Sequence, residues 1–259
     1  MHTEPESNIE WQLWGSRDPL YGVASLEGRN KRGKNPWTND EFYAFGAQVW
    51  SEYLPHWERY GVDRESCIEI GCGAGRMTKQ LAGYFKNVHA VDVSEEMIAY
   101  ARREVPSERV SFHLTNGCVL PVPDNTVTAG FSTDVFQHFD QPAFAEQYFV
   151  ELFRVLSPRG SFMIHLPVYA WPHAMQSVFS GLYKMWKIAD SVQAKVRRIL
   201  LRRGLGNPFM FGIKFEVDAL YRLLYRIGFR DIEIIFFQIR GDQGHPEFRS
   251  YLFGRKPDA

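Results

Sequence analysis

Three glycines at alternate positions, Gly71, Gly73 and Gly75, follow a short apolar run in the stretch IEIGCGAGRMT and precede a helical pattern. Glycine has no Cβ, so this stretch lets the chain turn tightly and lets the backbone approach a ligand that a side chain would repel. The spacing departs from the dinucleotide fingerprint, which requires its third glycine three residues after the second. The pattern therefore disfavours a ligand that contains a pyrophosphate.

An acidic residue, Glu69, lies two positions before the first of these glycines. On a parallel strand, we expect its carboxylate to project toward the ligand crevice. A fixed negative charge at that point would repel a pyrophosphate and attract a ligand with cationic groups. S-adenosylmethionine meets this requirement, because it is a nucleoside without phosphate that carries a sulfonium and an ammonium group.

Strand-like and helix-like segments alternate from about residue 67 onward. Short runs rich in β-branched and apolar residues predict strands at CIEI, VHAVDV, RVSFHL, VTAGFS and GSFMIHLP. Helical patterns cover residues 77–85, 95–104 and 143–156. Later, EVDALYRLLYRIGF predicts an amphipathic helix, and DIEIIFFQI and SYLFGRKP predict an antiparallel hairpin. The alternation predicts an α/β protein with a mostly parallel sheet wrapped by helices.

The composition limits the classes of function. Thirty basic residues balance thirty acidic ones, so no global field recruits nucleic acid or an anionic membrane. The three cysteines, Cys67, Cys72 and Cys118, lack metal-ligand spacing, which predicts no metal site and a reduced environment. With no signal peptide and no apolar run of about eighteen residues, we expect a soluble, cytoplasmic protein.

These motifs resemble those of the class I S-adenosylmethionine-dependent methyltransferases, particularly the small-molecule branch that includes ubiquinone-biosynthesis-type enzymes. The specific part of the resemblance covers roughly residues 66–167: EIGCGAG is similar to the glycine-rich first motif, and VDVS is similar to the end of the second strand. The resemblance implies a Rossmann-like three-layer sandwich. Its seven-stranded sheet would be mostly parallel, with the antiparallel hairpin at the C-terminal end.

The resemblance also implies a set of cofactor contacts. Asp92 would accept hydrogen bonds from both ribose hydroxyls, because a carboxylate has two oxygens to offer a vicinal diol. Glu69 would lie near the methionine part. The remaining implied contacts are the loop of Gly71, Cys72, Gly73 and Gly75 under the cofactor, Val93 and Met97 flanking the adenine, and Ser132 and Thr133 at the methionine end. Cys72 and Cys118 are also interpreted as small buried residues.

The segment around Asn116 departs from the family pattern, in which an aspartate holds the adenine amine. The side-chain oxygen of Asn116 can still accept that bond, and the backbone amide of Gly117 can serve the ring nitrogen. Asp134, just after the fourth strand, is interpreted either as part of the methionine end or as a helix cap.

Two histidines are candidates for a general base. His138 and His165 fall at the ends of the fourth and fifth predicted strands, facing the expected substrate space. Methyl transfer from a sulfonium is an in-line displacement, so the protein must chiefly hold the nucleophile and exclude water. A base is needed only when the acceptor carries a proton of high pKa.

Two regions lie outside the alternation. We expect residues 1–60, rich in tryptophan, to form a helical cap, residues 61–167 the cofactor-binding core, residues 168–214 a helical lid insertion, and residues 215–259 the rest of the α/β domain. Cap and lid would cover the carboxyl end of the sheet, where open α/β proteins bind ligands. Candidate residues for an aromatic-lined acceptor pocket are Tyr21, Trp37, Tyr43, Tyr169, Trp171 and His173.

Residues 182–203 form a basic amphipathic pattern. This pattern predicts a lid helix, and the alternative is an interfacial helix that contacts anionic lipid. Binding of nucleic acid is disfavoured, because no recognition motif accompanies the segment.

The sequence thus predicts methyl transfer to a small organic acceptor. The alternatives are a noncatalytic cofactor-binding or partner-associated module and, less favoured by the glycine spacing, a nicotinamide-dependent oxidoreductase. The sequence leaves the oligomeric state open.

Overall fold

A computed structural model describes residues 7–170, 213–240 and 246–258. Trp171, His173 and nearly all of the predicted lid, including the basic segment 182–203, lie outside the described residues. Within the described ranges, none of the helices combines the length and the apolar composition that crossing a bilayer requires.

The centre of the structure is a seven-stranded mixed sheet. Five parallel strands are β1 (Ser66–Ile70), β2 (Asn87–Asp92), β3 (Val110–Leu114), β4 (Val127–Ser132) and β5 (Leu156–His165). A short separate ladder pairs β6 (Val168–Tyr169) with β7 (Phe215–Glu216). The hairpin of β8 (Arg230–Arg240) and β9 (Pro246–Arg255) completes the main sheet, whose order is β3-β2-β1-β4-β5-β9-β8 with β9 antiparallel to both neighbours. The predicted Rossmann-like fold is confirmed.

Helices cover both faces of the sheet. They are α1 (Ser7–Arg17), α2 (Pro19–Val23), α3 (Asn39–Tyr60), α4 (Thr78–Tyr84), α5 (Glu95–Glu104), α6 (Pro142–Val155) and α7 (Val217–Ile227), with a 3-10 turn at Phe136–His138. Because side chains alternate along a strand, Phe162 of β5 packs in the core under α6 and α7, whereas Met163 packs in the core under α3 and α4.

The strand β5 begins earlier than its apolar run predicts. Its pairing with β4 shifts register between Val127 and Ala129, and Arg159 adopts a positive φ of 66° in the irregularity. The sequence SPRG suggests a turn, but the ladder resumes on both sides of it.

The region predicted as a cap divides into two parts. The helix α3 buries Trp57 completely and stacks it on Phe131 of β4, with ring centroids 5.5 Å apart, so this helix forms a layer of the core. The helices α1 and α2 lie over the ligand edge of the sheet, which α3 also reaches with Phe45, Val49 and Tyr53. The N-terminal turn of α1 is held there because Asn8 donates a 2.9 Å hydrogen bond to the carbonyl of Asn116.

Candidate active site

A cavity of about 210 Å³ opens at the carboxyl edge of the parallel strands, under α1 and α2. Seven of the predicted cofactor residues line it: Gly71, Gly73, Asp92, Val93, Met97, Gly117 and Thr133. They come from the ends of β1, β2 and β4, from the start of α5 and from the loop after β3. Sheet topology therefore brings together residues that lie up to about sixty positions apart in the chain.

The glycine loop after β1 forms the floor of the cavity. Gly71 and Gly73 have φ angles of +78° and +51°, where residues with a side chain are strained. A Cβ on Gly71 would also overlap the side chain of Val135, and one on Gly73 would lie 2.5 Å from Val23 of α2. Gly75 faces α5 instead of the cavity, since its Cβ would contact Ala101 at 3.1 Å.

The carboxylate of Asp92 is fixed at the end of β2. Its Oδ2 accepts a 2.7 Å hydrogen bond from the amide of Gly73, and its Oδ1 accepts a 3.0 Å hydrogen bond from the amide of Ser94. Burial raises the pKa of this carboxyl above its ordinary value, against the lowering effect of those amides. Each oxygen retains a lone pair, so the group can accept two further hydrogen bonds from a ligand.

Glu69 does not project into the cavity as its position predicts. Its side chain lies on the same face of β1 as Cys67, against α4, and its Oε2 accepts a 2.6 Å hydrogen bond from Thr78. Burial raises the pKa of Glu69 to about 8, so the group is mostly protonated at neutral pH and is not a fixed negative charge in this structure.

Three other predicted cofactor residues turn their side chains away from the cavity. The hydroxyl of Ser132 donates to the carbonyl of Ile70 at 2.8 Å and ties β4 to β1. The Oδ1 atom of Asn116 accepts from the amide of Cys118 at 3.0 Å, which shapes the loop after β3 and uses the oxygen predicted to hold adenine. Cys72 is buried under the loop, where desolvation raises its thiol pKa.

A charged cluster that the sequence does not predict lies at the other end of the cavity. Asp134 follows β4 with a positive φ of 59°. Its Oδ2 lies 3.2 Å from Nη2 of Arg76, and its Oδ1 lies 2.8 Å from Nη1 of Arg249. Burial opposes the charge on Asp134, but Arg249, His165 and Arg76 outweigh it and hold the pKa of the carboxyl well below its ordinary value.

The two candidate histidines occupy different places. His138 lines the cavity, edge-on to Trp11 of α1 with ring centroids 5.1 Å apart. The ring of His165 is buried against Asp134 instead: its Nδ1 lies 3.2 Å from Oδ1 and 3.3 Å from the backbone nitrogen of that residue. Whichever ring nitrogen carries the proton, His165 orients Asp134, and it is not among the residues that line the cavity.

The four predicted candidates within the described residues, Tyr21, Trp37, Tyr43 and Tyr169, do not line the cavity. Tyr43 donates to the carbonyl of Ala74 at 2.8 Å and Trp37 donates to the carbonyl of Ala24 at 2.7 Å, so both brace the surrounding structure. Neither Tyr21 nor Tyr169 lines the cavity. Among the described residues, the aromatic side chains that do line it are Trp11, Phe45, Tyr53, Phe139 and Tyr148. They lie on α1, α3, α6 and the segment after the 3-10 turn, and nothing in the local sequence distinguishes them from core positions.

The chain is similar to known methyltransferases over the part that carries the glycine loop and Asp92. A family model described as a methyltransferase domain matches residues 68–164. A probable S-adenosylmethionine-dependent methyltransferase from Mycolicibacterium smegmatis is 33% identical over 100 residues, covering 39% of this chain and 37% of the relative. A malonyl-(acyl-carrier protein) O-methyltransferase from Pectobacterium atrosepticum is 29% identical over 127 residues, covering 49% and 45%. A solved S-adenosylmethionine-dependent methyltransferase from Methanosarcina mazei aligns with a TM-score of 0.59 at 18% identity, over 79% of this chain and 98% of that chain.

The fold is that of the class I methyltransferases, and residues 68–164 are a methyltransferase domain of the S-adenosylmethionine-dependent class. For this domain, the predicted class of enzyme and its cofactor are confirmed. The chain spans less than half the length of the two curated relatives.

Proposed function

We propose that the whole chain transfers a methyl group from S-adenosylmethionine to a small organic acceptor. The observation that carries the proposal is the position of the Asp92 carboxylate beside the bare backbone of Gly71 and Gly73, inside one cavity. A carboxylate held by two amides suits a ribose diol, and the absence of side chains on the loop leaves room for the nucleoside.

Within that cavity the cofactor contacts divide by position. Asp92 would accept from the ribose hydroxyls, Val93 and Met97 would flank the adenine, and the amide of Gly117 would serve the ring. Thr133, at the end of β4, would lie by the methionine part. This order follows the sheet from β3 across to β4.

The acceptor end is bounded by aromatic side chains, among them Trp11, Tyr53 and Tyr148. Such walls exclude water and hold an organic acceptor against the methyl carbon for in-line displacement. His138 is the histidine on the cavity wall, and we assign it the role of base for acceptors that must lose a proton. The sequence resemblance to ubiquinone-biosynthesis-type enzymes supports a small organic acceptor of that kind.

The test is turnover. The purified protein is incubated with S-adenosylmethionine and a broad panel of small organic acceptors, and S-adenosylhomocysteine is quantified by mass spectrometry. We expect acceptor-dependent formation of S-adenosylhomocysteine, which Asp92→Asn strongly reduces. Cofactor binding without product from any acceptor would instead favour the noncatalytic module.

A further inference from the structure

The wall of the cavity beside Thr133, at the end of β4, carries more positive than negative charge. Arg76, from the loop after β1, and Arg249, from β9, both line the cavity, and between them stands the single carboxylate of Asp134. Their side chains are only 7% and 18% exposed. The wall formed by these three groups therefore has a net charge of one positive unit in a largely desolvated position.

The carboxylate of Glu247, beside Arg249, does not remove this excess. An oxygen of Glu247 lies 3.4 Å from Nη2 of Arg249, but the Glu247 side chain is 49% exposed and does not line the cavity. Exposed ion pairs of this kind contribute little. The charge of the wall formed by Arg76, Asp134 and Arg249 stays positive.

One buried polar atom on the same wall also lacks a partner. Among the described residues, Nε of Arg76 has no hydrogen-bond partner, although the atom is buried and its residue lines the cavity. Buried polar groups are nearly always satisfied, so an unsatisfied guanidinium nitrogen beside the cavity indicates a ligand with acceptor oxygens.

We propose that this wall binds a carboxylate of the methyl acceptor, with Arg249 as the residue that selects it, so that the substrates are small organic acids with an apolar body. The guanidinium fork matches a planar carboxylate. Asp134 fixes the two arginines and neutralises one of them, so a monoanion leaves the wall neutral. The assignment rests on the proposed methyltransferase function.

S-adenosylmethionine has a carboxylate of its own, so the test must separate the two sources. The protein is first saturated with S-adenosylhomocysteine, which fills the cofactor's carboxylate position. Calorimetric titrations then compare 3-phenylpropionate with its neutral isostere 3-phenylpropanamide. We expect the acid to bind at least about tenfold more tightly than the amide, a preference typical of a charge-assisted hydrogen-bond pair.

Variants then assign the preference to one residue. Arg249→Gln should abolish the preference for the acid while leaving the affinity for the amide unchanged, and Arg249→Lys should retain part of the preference. The control Arg222→Gln removes the same charge from an exposed position on α7 and should leave the preference intact. Binding of acid and amide with equal affinity by the loaded wild-type protein, or binding of neither, would overturn the inference and leave the proposed function standing.

The second arm titrates S-adenosylhomocysteine and 5′-methylthioadenosine, which lacks the amino acid, into Arg249→Gln. Unchanged affinity for both supports the acceptor assignment and shows that the variant is folded. Weaker binding of S-adenosylhomocysteine alone would assign Arg249 to the cofactor and contradict the proposal. Failure of the wild-type protein to bind S-adenosylhomocysteine would refute the proposed function itself.

Discussion

The buried carboxyl of Glu69 gives the fold a pH dependence that a single substitution should remove. The side chain is 3% exposed and burial raises its pKa from 4.5 to about 8. Between those two values the folded protein holds a proton that the unfolded chain releases. The free energy of unfolding therefore falls as the pH rises through this range.

The size of the effect follows from the two pKa values. Integrating the linkage relation between pH 5 and pH 7 gives a loss of about 2–3 kcal/mol from this one group. Glu69→Gln keeps the shape and the acceptor for the hydroxyl of Thr78 but cannot titrate. Relative to the variant, the wild-type protein should lose that amount over the two pH units.

Urea denaturation at pH 5, 6 and 7 measures the difference, because all other titrating groups are common to both proteins. Glu108→Gln removes a carboxylate from an exposed position and is the matched control. Its free energy of unfolding should depend on pH in the same way as that of the wild-type protein. If the free energy of unfolding of Glu69→Gln also followed the wild-type pH dependence, Glu69 would ionise as freely as an exposed carboxyl, and the account of its burial would be wrong.

Three further substitutions test the site. Gly71→Ala should cost about 1–3 kcal/mol of stability, because the position has a positive φ and the new Cβ meets Val135, whereas Gly83→Ala, in open space, should cost nothing; equal effects in urea denaturation would contradict the strained loop. Asp134→Asn should destabilise the protein by roughly 1–3 kcal/mol at pH 7, since it leaves buried guanidiniums unopposed. Because the pKa of Asp134 is depressed in the folded protein, its contribution to the free energy of unfolding is lost as the pH falls. The difference in that free energy between the wild-type protein and Asp134→Asn should therefore narrow in acid, and a difference independent of pH would refute the ion-pair account. With an acceptor in hand, His138→Gln should lower kcat about 100-fold without weakening the cofactor, and unchanged kcat would remove His138 as the base.

Much of the fold could be predicted because its signals are local. Short runs of β-branched and apolar residues mark the strands, helical spacing marks α5 and α6, and the glycines after β1 mark a tight ligand-facing turn. Asp92 could be placed for the same reason: it ends a strand, and parallel strands bring their carboxyl ends to one edge.

The charged end of the cavity could not be predicted, because it depends on long-range pairing. Arg249 meets Asp134 across 115 residues, through the antiparallel pairing of β9 with β5. Nothing near Arg249 in the sequence indicates that register. The position of the Glu69 side chain has a local cause: it shares its face of β1 with Cys67, and that face is covered by α4.

The most direct measurement is calorimetric titration of S-adenosylhomocysteine into the wild-type protein, Asp92→Asn and the exposed control Asp40→Asn. We expect the wild-type protein and the control to bind alike, and Asp92→Asn to bind at least about tenfold more weakly, because the amide replaces an acceptor oxygen and removes the charge. Equal affinity in all three proteins, or no binding heat in any, would contradict the assignment of this cavity to the cofactor.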